Sequence, residues 1–263
     1  MRKLSLLLAV LMLVCSFAAC GATEEVKIES TADLVGKKIG VQLGTTGDIV
    51  IASEIEGAEV MRYSKAIDAA LALADGKIDA VIVDLEPAKN IVAAMPELKI
   101  LENTDYAPED YAIAVKKGNT ELLGVIDVVL TEIKADGTYD NLVKGFIETA
   151  EDERAPYITG EQVGTEGTIV MATNAEFPPF EYTLDDGTVV GLDIEIAKLI
   201  AKKLNKTLVI KNIAFDSLLL ELDSGAADFV IAGMTVDAER LQQVDFSQSY
   251  YTSEQAVIVR ADN

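Results

Sequence analysis

Apolar positions along the chain switch repeatedly between two periods. Short apolar or alternating runs predict strands at 37–42, 60–63, 79–83, 111–115, 168–172, 207–211, 228–231 and 255–259. Between them, apolar residues recur three and four apart. That spacing predicts helices at 46–56, at 66–74, from about Pro87, along the face of Leu122, Ile126, Val129 and Ile133, and at 138–146. Two more follow, on the stripe of Leu192, Ile196, Ile200 and Leu204 and at 216–222. Strands alternating with helices predict an α/β fold with mostly parallel sheets.

Two stretches break the alternation. Residues 1–19 read as a leader: Arg2 and Lys3, then an apolar run at 4–17 too short for an ordinary spanning helix. The run closes on Phe17-Ala18-Ala19-Cys20-Gly21, which resembles a bacterial lipoprotein signal with Cys20 as the lipidated first residue, although that signal prefers Leu where Phe17 stands. Ordinary cleavage nearby, with Cys20 incidental, is the alternative. Residues 20–30 then read as a tether. Residues 148–167 hold the charge run Glu151-Asp152-Glu153-Arg154, a proline and several glycines, and read as a surface linker.

The chain also echoes itself. The segment 71–84 and the segment 220–233 each read as helix, glycine turn, Asp and buried strand, which puts Asp84 and Gly233 at equivalent strand ends. Ligands of open α/β sheets bind beyond the carboxyl ends of the strands. Two such units face to face would enclose a cleft.

Composition narrows the chemistry. Half of the 263 residues are hydrophobic, enough for a core in each of two lobes. There is no histidine, and both cysteines, Cys15 and Cys20, fall in or at the end of the leader. His-based catalysis and His- or Cys-ligated metals are thereby excluded, and we expect no cofactor. The net charge of −22, made more negative still when Arg2 and Lys3 leave, argues against nucleic acid and reads as solubility.

The most specific text lies in ordered blocks. The second half carries Ala172-Thr-Asn-Ala-Glu-Phe-Pro-Pro-Phe-Glu-Tyr182, Val190-Gly-Leu-Asp-Ile-Glu-Ile-Ala197, Phe215-Asp216, Ala232-Gly-Met-Thr-Val-Asp-Ala-Glu-Arg240 and Val244-Asp-Phe-Ser-Gln-Ser-Tyr-Tyr251. The first half carries Gly36-Lys-Lys-Ile-Gly-Val-Gln-Leu-Gly-Thr-Thr-Gly47, Asp79-Ala-Val-Ile-Val-Asp84 and Lys134-Ala-Asp-Gly-Thr-Tyr139. Together these resemble the polar amino-acid-binding family of bacterial solute-binding proteins, the substrate-binding components of ABC importers. The order differs from the family's. Placing the end of the chain before residue 26 restores a complete module, so the chain looks circularly permuted. Fusion of a headless copy with a tailless one is the rival account.

The resemblance implies a type II periplasmic-binding-protein-like fold with two lobes. Residues 31–110, with 255–263, would form lobe 2; residues 111–147 and 168–254 would form lobe 1; residues 148–167 would join the family's usual ends. The crossing strands would be 111–115 and 255–259.

A free amino acid carries a carboxylate and an ammonium, each costly to desolvate unless paired. Arg240 has the planar fork that suits a carboxylate, and the resemblance assigns it that role. Thr235 and Thr46 can add donors, and the Gly44-Thr45-Thr46-Gly47 turn ahead of a helix is a plausible anion cradle. Asp84, which by itself reads as a helix cap, becomes the ammonium partner, with Gly233 contributing its carbonyl. Phe177 and Phe215 would sandwich the aliphatic part of the ligand, while Phe180 and Phe246 go to the core. Asn174 stands where relatives that bind basic side chains or glutamine often carry Asp. With Gln42 it points to a neutral polar, glutamine-like ligand. The expected function is extracytoplasmic capture of an amino acid by a monomer and its delivery to an ABC permease. A ligand-binding sensory partner and a cyclohexadienyl-dehydratase-like enzyme are the alternatives.

Overall fold

The computed structural model describes residues 27–102, 104, 106–150, 153–154 and 163–262. The leader, Cys20 and the middle of the 148–167 stretch lie outside them. Two five-stranded sheets organise the chain. The first has the order 59–63, 38–42, 80–84, 255–260, 98–100. Its first three strands run parallel, and Gln255–Arg260 lies antiparallel to both of its neighbours. The second has the order 207–212, 168–173, 229–230, 114–116, 244–246, again with three parallel strands and then Ala114–Lys116 antiparallel to both neighbours. Each sheet thus takes an inner strand from a distant part of the chain. A two-stranded ribbon, Glu109–Tyr111 against Tyr251–Ser253, carries both passages between the sheets.

Local chemistry explains these elements. Strand Ala80–Asp84 is buried along its whole length, as expected for a central parallel strand covered on both faces. Helix Leu192–Lys203 buries Leu192, Ile196 and Ile200 against the second sheet's core. Its N-cap, Gly191, has φ +132, and a Cβ there would stand 2.1 Å from the carbonyl oxygen of Phe180, so only glycine fits. Helix Thr120–Ala135 starts where the Asn119 side chain accepts from the N–H of Leu122 and buries Ile126, Val129, Leu130 and Ile133.

The structure corrects the pattern in three places. The helix expected at 46–56 is instead a π-helical turn, Gly47–Ile51, followed by a 3-10 turn, Ala52–Glu54. The apolar Ile49 and Val50 are exposed there, while the polar Asp48 is buried, accepting from the N–H of Gly44 and pairing with Arg62 at 2.8 Å. The strand expected at 111–115 is two pieces, Glu109–Tyr111 in the ribbon and Ala114–Lys116 in the second sheet. The helix expected at 216–222 begins as a 3-10 turn, Phe215–Ser217, and continues as Leu218–Ser224. The Asp237 carboxylate accepts from the backbone N–H groups of Glu239 and Arg240 and shapes the turn before the short helix Arg240–Gln243.

Candidate functional site

The carboxyl ends of the parallel strands in both sheets point at one place. Gln42 ends strand 38–42 and Asp84 ends strand 80–84; Asn174 follows strand 168–173, and Gly233 and Thr235 follow strand 229–230. These five, with Thr45, Thr46, Phe177, Phe215 and Arg240, line a single cavity of about 10 Å³. All ten residues nominated from the sequence therefore meet. That volume admits roughly one water, so a free amino acid fits only when the walls separate.

The walls belong to the two sheets and are bonded to each other. The Thr46 hydroxyl donates to Thr235 Oγ1 at 2.9 Å, Arg240 Nη2 donates to the Gly44 carbonyl at 2.9 Å, and Gln42 Nε2 donates to Asn174 Oδ1 at 2.8 Å. At the rim, Lys65 pairs with Glu176 at 2.6 Å.

Arg240 is 5% exposed. Its Nη1 donates to the carbonyl of Thr235 at 2.9 Å, its Nε lies 3.2 Å from Asp237, and its guanidinium carbon stands 5.6 Å from the Phe215 ring centre. Burial lowers its pKa, opposed by the charges of Asp237, Glu109 and Asp84. Thr45 contributes differently from the expectation. Its hydroxyl donates to the Gln42 carbonyl, so it holds the turn together. The cradle at Gly44–Gly47 also opens a π-helical turn rather than an α-helix.

Asp84 occupies the N-cap position of helix Leu85–Ala94, yet its side chain makes no cap bond. It accepts instead from the Tyr111 hydroxyl at 2.5 Å. Burial first, then the charge of and hydrogen bond to Glu109, push the Asp84 carboxyl well above its ordinary range. Glu109 and Tyr111 were missed as site residues. Glu109 accepts from Gln255 Nε2 and from the Thr235 hydroxyl, each at 2.5 Å. A signal existed, since in a strand Glu109 falls on the same face as Tyr111, and both are buried while Asp110 between them is not.

Gly233 has φ +52, and a Cβ on it would stand 2.6 Å from Phe177 Cε1. Its N–H donates to Asp193 Oδ2 at 2.9 Å, which also accepts from the Tyr250 hydroxyl at 2.8 Å. Burial raises the Asp193 carboxyl to about 6 and the neighbouring Glu181 carboxyl well above its ordinary range. Phe177 stacks on Phe180 with ring centres 5.8 Å apart. Phe180 is fully buried, and Phe246 is half-buried against the apolar cluster around Leu218 and Leu222. Among the described residues no group of three or more His, Cys, Asp or Glu side chains is placed to hold a metal, and no helix is long and apolar enough to cross a membrane.

Comparison with known proteins places a family on part of this geometry. The model for bacterial extracellular solute-binding proteins, family 3, matches residues 169–263. An arginine-binding extracellular protein of Bacillus subtilis, ArtP, is 40% identical over 95 residues, 36% of this chain and 37% of the relative. A probable histidine-binding protein of Campylobacter jejuni is 35% identical over 120 residues, 45% of this chain and 46% of the relative. A solved ancestral arginine-binding protein bound to arginine is 48% identical over 33% of this chain and 38% of its own, with a TM-score of 0.32. The chain spans less than half the length of each of these proteins.

Proposed function

We propose that this chain, whose residues 169–263 are family 3 extracellular solute-binding sequence, is an extracytoplasmic amino-acid-binding protein that delivers its ligand to an ABC-type permease. One observation carries the reading. A buried arginine on helix Arg240–Gln243 and a buried aspartate ending a strand of the first sheet line one cavity together with Phe177 and Phe215, the latter 5.6 Å from the guanidinium. That is the donor set a zwitterion needs: a planar cation for the carboxylate, an anion for the ammonium, and apolar faces between them. The ligand would enter with the sheets apart and be enclosed as they come together.

The side-chain end of the site favours a neutral polar, glutamine-like ligand. Asn174 Nδ2 is committed to the Ile213 carbonyl and Gln42 Nε2 to Asn174. What remains toward the cavity is uncharged amide oxygen, which suits a side-chain amide. The relatives named for arginine and histidine make the basic amino acids the natural competitors. Calorimetric titration with glutamine, arginine, histidine and cystine tests both levels. Glutamine is expected to bind tightest. Tighter binding of arginine would overturn the specificity, and no heat with any amino acid would overturn the function.

The swapped order is part of the proposal. The matched stretch 169–263 covers a fraction of each relative, and strands from 38–116 complete both sheets within the same chain. This supports a circular permutant, with residues 148–167 joining what are two ends in relatives, over a fusion whose halves complete each other between molecules. Residues 31–110 with 255–263 would then form one lobe, and 111–147 with 168–254 the other. A monomer mass by light scattering, at protein concentrations that give full ligand binding, is the expected result. Anchoring through a lipid on Cys20 belongs to the same proposal and is read by mass spectrometry of the mature N-terminus.

A further inference from the structure

Behind the ammonium end of the cavity lies more acid than a zwitterion requires: Glu109 is outside the lining, but Gln255, the register partner of Asp84, and Thr235, which lines the cavity, both donate to it. Asp84 is 5% exposed and Glu109 is 8% exposed. Their hydrogen bonds come from neutral donors: Tyr111 on Asp84, and Gln255 and Thr235 on Glu109. The other charged groups near them are Arg240, which feels both, and Glu181, which feels Asp84; Asp84 itself is the N-cap residue of helix Leu85–Ala94. Glu181 adds a further buried acid. Arg240 spends Nη1 and Nη2 on the carbonyls of Thr235 and Gly44, and its Nε faces Asp237. Among the described residues no cation is in hydrogen-bond contact with either carboxylate; such a buried pair is costly, and like charges at one site are relieved when one of the two keeps a proton.

We infer that Glu109 is a second carboxyl behind the ammonium site: its charge holds a proton on Asp84, and the ligand's ammonium replaces that proton on binding. The inference rests on the amino-acid-binding reading. The exchange balances simply. The ammonium enters as a cation, a proton leaves to solvent, and the charge at the pair is unchanged. Glu109 also fixes the direction of the adjoining bonds. The Thr235 proton points at Glu109, so Thr235 Oγ1 is left to accept from Thr46 rather than to donate into the cavity.

Two measurements test this, and they fail separately. Infrared difference spectra of the ligand-free protein, wild type minus Asp84→Asn, are expected to show a protonated carboxyl at pH 7. Its absence would overturn the proton on Asp84 whatever the ligand proves to be. Glu109→Gln keeps an acceptor for Thr235 and, with the Gln255 amide turned over, a partner for Gln255. It is expected to lower the proton affinity of that carboxyl at least tenfold, and an unchanged titration would overturn the pairing. Calorimetry of glutamine binding, repeated in buffers of different protonation enthalpy at pH 7, is expected to show release of about one proton per ligand. Clear binding heat with no buffer dependence would overturn the exchange, whereas no heat with any amino acid would overturn the functional reading and leave the infrared result to decide the pair.

Discussion

Two single residues give the sharpest tests of the site. Among the described residues Arg240 supplies the only guanidinium lining the cavity, and under the proposed reading its removal would leave a ligand carboxylate desolvated and unpaired. Arg240→Ala is expected to weaken binding at least a hundredfold, in line with the roughly 2–5 kcal/mol lost when a buried charge pair is truncated. Calorimetry checks it, and retained affinity would put the carboxylate elsewhere. Gly233 sits at φ +52 with the Phe177 ring 2.6 Å from where a Cβ would be. Gly233→Ala is expected to cost on the order of 2 kcal/mol, from left-handed backbone and ring displacement together. Thermal melts would then show a midpoint lower by a few degrees. All ten nominated lining residues were legible because they lie in motif blocks at strand ends. For Glu109 strand alternation with Tyr111 was the one local signal, and it did not reveal a site role because the partners Gln255 and Thr235 are more than a hundred positions away.

Among elements, length decided what the pattern revealed. Helices Ala66–Ala74 and Thr138–Phe146 match the expected spans because each carries at least two turns of apolar periodicity. The ribbon strands Glu109–Tyr111 and Tyr251–Ser253, and the strands Glu176–Phe177 and Glu181–Thr183, are two or three residues long, too short to show a period. The turn Gly47–Ile51 misled for another reason: its apolar residues face water and its acid is buried, the reverse of an amphipathic helix. The rim pair Lys65–Glu176 links the two sheet systems, but both side chains remain substantially exposed. Glu176→Gln should therefore change stability by less than about 1 kcal/mol. Its expected signature is a modest affinity loss that shrinks as salt rises, measured by titration at two ionic strengths.

At the scale of the whole molecule, buried acids set the response to pH. The folded-state pKa of Asp193 is raised to about 6 from an ordinary value of 3.8. A carboxyl raised by folding holds its proton more tightly in the native state, so this group's penalty is absent below the unfolded value and complete above the folded one. Stability should therefore fall as pH rises from about 4 to about 6, by on the order of 3 kcal/mol from Asp193. Asp193→Asn is expected to flatten that part of the thermal-stability profile. An unaltered slope would assign it to the general acidity of a chain with 44 Asp and Glu against 22 Lys and Arg.

The strand Gln255–Arg260 lies between Ala80–Asp84 and Leu98–Ile100 in the first sheet. Those two neighbours emerge from the ribosome about 150 residues before the strand that must sit between them, a separation that makes closure of this sheet slow. During synthesis the first sheet is therefore an open book: its middle page is missing until translation is well advanced.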